Sequence, residues 1–312
     1  MANNKNLLIA KKAKNDEFYT RYEDIEKELQ YYTTELKDKI IYCNCDDYRI
    51  SNFVKYFYYN FETTGIKLLI ATNYNIGEGS YEYRYDGREE TITEIEDGSY
   101  DSERCLSILN EADIIVTNPP FSLFRKYIAQ LMEYEKKFLI IGNMNAITYK
   151  DCFTHIKNNK LWLGITNPVK YRLPNGEMTK SVKSLCRWFT NIARNRHNTS
   201  LDLFRTYNET DYPKYCNYDA IEVSRVENIP IDYDGVMGVP ITFLDKYCPI
   251  QFEIIGLGIA SLGLACGVQP YKPEHREYRK NIQKRGVVDG DLYMVENGIV
   301  KVPYARILIR RR

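Results

Sequence analysis

Four short apolar runs in the first half of the chain restrict its fold more than any other feature. They are residues 39–44 (KIIYCN), 67–72 (KLLIAT), 113–117 (DIIVT) and 138–142 (FLIIG). Runs of this length, rich in Ile, Leu and Val and bounded by polar turns, read as strands buried on both faces. Between them lie helix patterns. Residues 22–36 place Ile25, Leu29, Tyr32 and Leu36 on one face, residues 51–61 are rich in Phe and Tyr, and residues 123–137 follow Ser122, a candidate cap. Ser102 is placed to cap a short helix running to Leu109, and residues 74–100 read as a small hairpin with glycine turns. Strands alternating with helices predict an α/β fold, a doubly wound parallel sheet. Such sheets bind ligands beyond the carboxyl ends of their strands, near the switch in strand order. Here the polar groups Asn44-Cys45-Asp46-Asp47, Thr72-Asn73 and Asn118 onward stand at those ends.

After about residue 160 the pattern changes. The pieces LWLGI, SLCRWFT, DAIEVS, PITFL and QFEIIGLG read as strands separated by long polar stretches. Some should finish the sheet and the rest build a smaller appended region. The expected division is residues 1–165 for the core and 166–312 for the remainder of the sheet plus that region. Gly256, Gly258, Gly263 and Gly267 miss the spacing of a dinucleotide fingerprint and read as loop glycines.

At 44% hydrophobic and 27% charged residues, the chain can bury a sizeable core and is not broadly disordered. Its net charge is only +1, which by itself argues against a nucleic-acid binder. Residues 1–150, however, carry 19 basic and 25 acidic side chains, and residues 151–312 carry 24 and 17. Arg187, Arg194, Arg196 and His197 cluster in the basic half, as do Arg276, Arg279, Lys280, Lys284 and Arg285. Such asymmetry marks either a polyanion-facing surface or merely solvated faces. The 28 tyrosines are equally open between codon bias and stacking platforms for bases.

Eight scattered cysteines, no apolar leader at the start and no apolar run of membrane-spanning length predict a reduced, cytoplasmic protein. Cys43 and Cys45 lack a second Cys/His cluster with zinc spacing, so no metal site is expected. His155, His197 and His275 form no recognisable catalytic triad.

The motif that carries chemistry is Asn118-Pro119-Pro120-Phe121, directly after an apolar strand. Two prolines fix the backbone of a turn and remove two N–H donors. The Asn118 side-chain carbonyl and the Pro119 backbone carbonyl are then placed to accept both hydrogens of a planar exocyclic amine. Two oriented acceptors favour a pyramidal nitrogen with a localised lone pair, which makes a poor nucleophile a better one. Phe121 offers a face for the ring to stack on. The plainer reading, a proline stop after a strand, suits a bare tetrapeptide better than this strand–loop–helix setting.

In this loop the chain resembles the S-adenosylmethionine-dependent adenine-N6 DNA methyltransferases. DEFYT (16–20), IIYCNCDDYRISNF (40–53), ADIIVTNPPFSLFRKYIAQL (112–131) and LIIGNMNAIT (139–148) are similar to the EcoRI-type modification methylases. So are NYDAI (217–221), MGVPITFLDKY (237–247), QFEIIG (251–256) and PYARILIRR (303–311). The resemblance implies a Rossmann-like methyltransferase sheet with a smaller C-terminal target-recognition region. It also implies S-adenosyl-L-methionine as donor and double-stranded DNA as substrate, with the target adenine flipped out. By position, Asn118, Pro119, Pro120 and Phe121 match the catalytic loop, and Tyr19 and Thr20 match the N-terminal cofactor motif.

Residues 43–47 stand at the first cofactor loop, making Asn44, Asp46 and Asp47 candidate contacts; the plainer reading of Asp46 and Asp47 is a helix N-cap. The wider superfamily has a glycine-rich turn there and this chain does not. Carboxylates nonetheless suit a donor that carries sulfonium and ammonium groups and no phosphate. Asn73 is a candidate ribose contact and Asp97 a candidate adenine contact, both by position. Arg187, Arg194, Arg196, His197, Arg279, Lys280, Lys284 and Arg285 are candidate DNA contacts. The expected enzyme works as a monomer, either of the restriction-modification type, with a cognate restriction endonuclease encoded nearby and no contact between the two required, or as an orphan methylase. Alternatives are an RNA-base or protein-glutamine N-methyltransferase using the same loop, or a non-catalytic DNA-binding module.

Overall fold

The computed structural model describes residues 19–74, 79–168, 171–172, 185–192 and 195–312. Two compact units divide it. One comprises the chain up to Cys152 together with Leu161–Ile192, and the other Phe153–Lys160 together with Ala193–Arg312. Residues 165 and 166 fall between two strands of the first unit's sheet.

The first unit begins with β1 (Tyr19–Thr20) and α1 (Tyr22–Leu29), followed by β2 (Ile40–Cys43), α2 (Asn52–Tyr59) and β3 (Leu68–Thr72). Next come β4 (Ser80–Tyr85), β5 (Glu90–Ile95), α3 (Glu103–Glu111), β6 (Ile114–Thr117), α4 (Phe124–Glu133) and β7 (Lys137–Asn143). The chain continues through α5 (Lys150–Lys157), which belongs to the second unit from Phe153 on, and resumes the first unit with β8 (Trp162–Leu163), β9 (Tyr171–Arg172) and β10 (Cys186–Thr190). β1 pairs with β9, and the main sheet runs β5-β4-β3-β2-β6-β7-β10-β8. The four expected strands are its parallel centre, with β2 between β3 and β6 and with β7 beyond β6.

The sheet as a whole is mixed, where a parallel one was expected. β4 and β5 add antiparallel at one edge, and β10 and β8 at the other. For β4 the reason is connection length. A parallel return needs a crossover of a dozen or more residues, and only Asn73–Gly79 separates β3 from β4. The strand order reverses about β2, because the chain moves to β3 on one side and then to β6 on the other. The crevice between the ends of β2 and β6 is therefore the topological switch point.

The helix patterns hold with local changes. The expected helix 22–36 breaks after Leu29 and resumes as one turn at Thr33–Leu36. Ser51, not Asp46 or Asp47, caps α2, its Oγ accepting from the Phe53 and Val54 N–H groups at 3.0 and 3.4 Å. Ser102 caps α3 as expected. Ser122 does not cap α4. Leu123 holds the N-cap place without a side-chain bond, while its N–H closes a turn onto the Pro120 carbonyl at 3.0 Å. The proline turn sets the helix start through the backbone. Beneath the sheet Ile25, Leu29, Phe53, Phe57 and Trp188 are fully or nearly fully buried, each aliphatic or Phe side chain contributing about 1.5–3 kcal/mol.

The second unit carries β11 (Ile221–Glu222), β12 (Met237–Pro240), β13 (Phe252–Gly258), β14 (Met294–Glu296), β15 (Ile299–Lys301) and β16 (Arg306–Arg311). Its four-stranded sheet has the order β11-β12-β16-β13, and β14 and β15 form a hairpin. The piece PITFL, expected as a strand, leaves β12 at Pro240 and winds into a 3₁₀ turn over Ile241–Lys246. Gly256 and Gly258 lie inside β13 and not in a loop. Gly263 sits in a short helix, Ala260–Ala265, where a Cβ would fall 1.9 Å from the Gly290 carbonyl oxygen.

Candidate active site

Asn118 leaves the carboxyl end of β6 beside the switch point and is partly buried. Pro119 is buried, Pro120 partly so, and Phe121 packs its ring against the first unit's core. The loop is stiff for covalent reasons and its aromatic side chain is supported from below.

The loops around it are joined by a chain of hydrogen bonds. Asp46 Oδ2 accepts from Thr117 Oγ1 at 2.6 Å, and Asp46 Oδ1 accepts from Ser51 Oγ at 2.6 Å. The Asp46 N–H donates to the Thr72 carbonyl at 3.0 Å. Asn52, next to Ser51, donates through Nδ2 to the Thr20 carbonyl at 2.7 Å. Thr20, the ends of β2 and β3, the start of α2 and the residue before Asn118 therefore share one bonded framework.

Asn44 is buried at the end of β2, where its Oδ1 accepts from Tyr127 Oη of α4 at 2.5 Å. Burial pushes the Tyr127 phenol well above the usual tyrosine range, with neighbouring acidic groups adding to the shift, so it stays a donor. Burial likewise pushes the Cys43 thiol up, which leaves it a packing residue.

Asn73 is buried, and its Oδ1 accepts from the Tyr81 N–H at 3.0 Å. The loop before α3 comes so close that a Cβ on Gly98 would fall 1.9 Å from the Asn73 carbonyl oxygen. Asp97 in that loop is exposed and accepts from the Ser99 N–H and hydroxyl. Asp47 is forked by Arg49, with Nε at 2.9 Å and Nη2 at 2.5 Å.

Buried atoms test whether a cofactor fits here. Among the described residues, Thr20 Oγ1 and Asn44 Nδ2 are buried at these loops and have no hydrogen-bond partner. Such atoms cost free energy unless a ligand or water satisfies them. A hydroxyl and an amide N–H suit the polar groups of an amino-acid or nucleoside-like molecule. The described residues therefore fit such a cofactor. No cluster of three His, Cys, Asp or Glu side chains among them would hold a metal ion.

The structure brings Thr20, Asn44, Asp46, Asn73 and Asn118–Phe121 to one end of the first unit's sheet. Tyr19 is described by its backbone alone, which pairs with Arg172. Arg187 belongs to the first unit too, buried in β10 opposite Gly142, with its Nη1 donating to the Cys186 carbonyl. The other candidate DNA contacts are apart in sequence. Arg194 lies outside the described residues. Arg196 and His197 share a 3₁₀ turn of the second unit, His197 being buried. Arg279 and Lys280 lie on a π-helical turn over Tyr278–Ile282, with exposed Lys284 and Arg285 just beyond it. All three histidines belong to the second unit.

Sequence reasoning missed Thr117, Ser51, Asn52 and Tyr127. Only Ser51 had a local signal, a serine directly before a helical pattern.

The family described as adenine-specific methyltransferase EcoRI matches residues 6–312. The chain is 43% identical to Type II methyltransferase M.EcoRI of Escherichia coli, over 100% of this chain and 98% of that protein. It is 39% identical to Type II methyltransferase M.MpnI of Mycoplasma pneumoniae, over 79% of this chain and 83% of that one. For Type II methyltransferase M.MgeORF184P of Mycoplasma genitalium the identity is 38%, over 79% and 84%. No solved structure matches the chain.

Proposed function

Because the chain belongs to the family of adenine-specific EcoRI methyltransferases, we propose that it methylates N6 of an adenine flipped out of a specific duplex DNA site, with S-adenosylmethionine as donor. The observation that carries this reading is the Asn118–Phe121 loop at the carboxyl end of β6, beside the switch point of a sheet whose centre is parallel. In this reading the sheet is a Rossmann-like methyltransferase sheet. The second unit is the target-recognition region, and its basic residues Arg279, Lys280, Lys284 and Arg285 face phosphate.

Thr20, Asn44 and Asn73 would hold the donor, which when bound supplies an electrophilic methyl group on a cationic sulfur. The chain's own residues do the rest. Asn118 Oδ1 and the Pro119 carbonyl accept the two amine hydrogens and orient the nitrogen lone pair. Phe121 stacks on the base, and the proline turn holds these groups in place before the base arrives. The amine so oriented would be the methyl acceptor, and its surplus proton would leave to solvent. No histidine base is required. The enzyme acts as a cytoplasmic monomer that treats each strand in turn. A separate restriction endonuclease would spare the methylated site.

The test is chemical. Duplex DNA incubated with the protein and S-adenosylmethionine is digested to nucleosides and analysed by mass spectrometry. N6-methyladenosine in its deoxy form is the expected product. Methylation of RNA or of protein glutamine in parallel reactions, with unmodified DNA, would replace this reading.

A further inference from the structure

We propose that Asp46 is a positioning residue that locks the catalytic loop in register with the donor-side loops and does not itself contact the donor. The inference rests on the adenine-methylation reading and deepens it. Position at the end of β2 made Asp46 a candidate cofactor contact, but both carboxylate oxygens are engaged inside the protein.

Its Oδ2 takes the hydroxyl of Thr117, the last residue of β6 and the one directly before Asn118. Its Oδ1 takes the hydroxyl of Ser51, whose oxygen in turn receives two N–H groups of α2. Its own N–H is fixed to the end of β3. Asp46, Ser51 and Thr117 are all buried. A carboxylate has only acceptors, so both hydroxyls must point their hydrogens at it. This leaves the Ser51 lone pairs for the helix N-terminus and fixes the rotamer of Thr117. The distance from the Asn118 acceptors to the donor-side loops is then set by one side chain bridging two strands. Misplacement of reacting groups by about 1 Å can cost about 100-fold in rate.

The experiment uses the full-length protein and the variants Asp46→Asn, Thr117→Val, Thr117→Ser and the double variant Asp46→Asn/Thr117→Val. Asn is close in size but replaces one acceptor by a donor, Val removes the Thr117 hydroxyl at constant shape, and Ser keeps it. Single-turnover methylation at saturating DNA and donor should fall about 10- to 100-fold in Thr117→Val and recover in Thr117→Ser. S-adenosylmethionine affinity of Thr117→Val, by calorimetry, should stay within about twofold. The double variant should be no slower than the slower single one, because both break the same link.

A wild-type rate in Thr117→Val overturns the proposal. So does loss of donor affinity in Asp46→Asn with Thr117→Val unaffected, which would make Asp46 a direct contact. If Asp46→Asn fails to fold, the Val and Ser pair decides. Amide hydrogen exchange across residues 117–124 needs no substrate. It should quicken in Thr117→Val and return in Thr117→Ser, and an unchanged pattern overturns the brace. Failure of the parent reading looks different, because wild-type protein would then form no N6-methyladenine while the exchange result still stands.

Discussion

Tyr127 and Asn44 meet in the interior of the first unit, the phenol donating to the amide oxygen at 2.5 Å, with both side chains shut off from solvent. The bond turns the Asn44 Nδ2 group, which has no partner among the described residues, away from α4. If Asn44 holds the donor as proposed, Tyr127→Phe should therefore loosen that site without dismantling the fold. The expected loss is about 1 kcal/mol of stability and about 5- to 10-fold in S-adenosylmethionine affinity, read by calorimetry. An affinity equal to wild type would remove Asn44 from the donor site. The same pair predicts a pH profile. Burial raises the Tyr127 pKa, so the stability it contributes is fully present below pH ~10, where an exposed tyrosine ionises, and is lost only at still higher pH. Tyr127 should cause no loss of donor affinity between pH 7 and about pH 9.5.

Glu28 of α1 is fully buried. Its Oε1 accepts from the Ile165 N–H at 2.8 Å and from Tyr32 Oη at 3.1 Å, and its Oε2 accepts from the N–H and hydroxyl of Thr166, each at 2.6 Å. Glu28→Ala strands two backbone donors, at about 1–3 kcal/mol each. Denaturant unfolding should show a loss of about 3 kcal/mol or more. A loss below about 1 kcal/mol would mean that water replaces the carboxylate at no cost.

Gly98 allows the loop before α3 to touch the end of β3. In Gly98→Ala the new methyl group meets the Asn73 carbonyl at 1.9 Å, and the two backbones must separate. The melting temperature should drop by the equivalent of about 1–3 kcal/mol, with weaker S-adenosylmethionine binding as Asn73 shifts. Unchanged donor binding in a destabilised variant would exclude Asn73 as a contact.

Lys280 and Lys284 are exposed in the second unit. If they face phosphate, replacing both with Gln should weaken DNA binding at every sequence alike and flatten its salt dependence. The slope of log K against log salt should fall by about 0.9 for each phosphate that the variant no longer neutralises. Fluorescence anisotropy across a salt series measures this, and an unchanged slope would place the DNA elsewhere.

The parallel centre of the sheet was legible because strands buried on both faces must be nearly continuous apolar runs, such as IIYC and IIVT. The position of the candidate catalytic loop was legible because Pro-Pro after such a run is a local covalent signal. The antiparallel edges were less so, since the direction of β4 depends on how short its link to β3 is. PITFL has strand composition, but it follows Pro240 into a 3₁₀ turn that tertiary packing decides. The framework of the candidate site was the least readable part. Asp46 and Thr117 are 71 residues apart, and Asn44 and Tyr127 are 83 apart. Nothing local marks such pairs, because they exist only once β2 and β6 lie side by side. The Asp46 carboxylate, a candidate donor contact by position, bonds to two hydroxyls of its own chain.

The most direct test of the central claim is single-turnover methylation of duplex DNA by wild type and Asn118→Ala, compared at equal bound donor. If Asn118 is the amine acceptor proposed above, Asn118→Ala should keep the wild-type S-adenosylmethionine affinity and a cooperative melting transition. Its rate of N6-methyladenine formation should fall by at least about 100-fold, as expected for removal of one preorganised hydrogen-bonding group. A properly folded Asn118→Ala that methylates adenine at the wild-type rate would contradict the account.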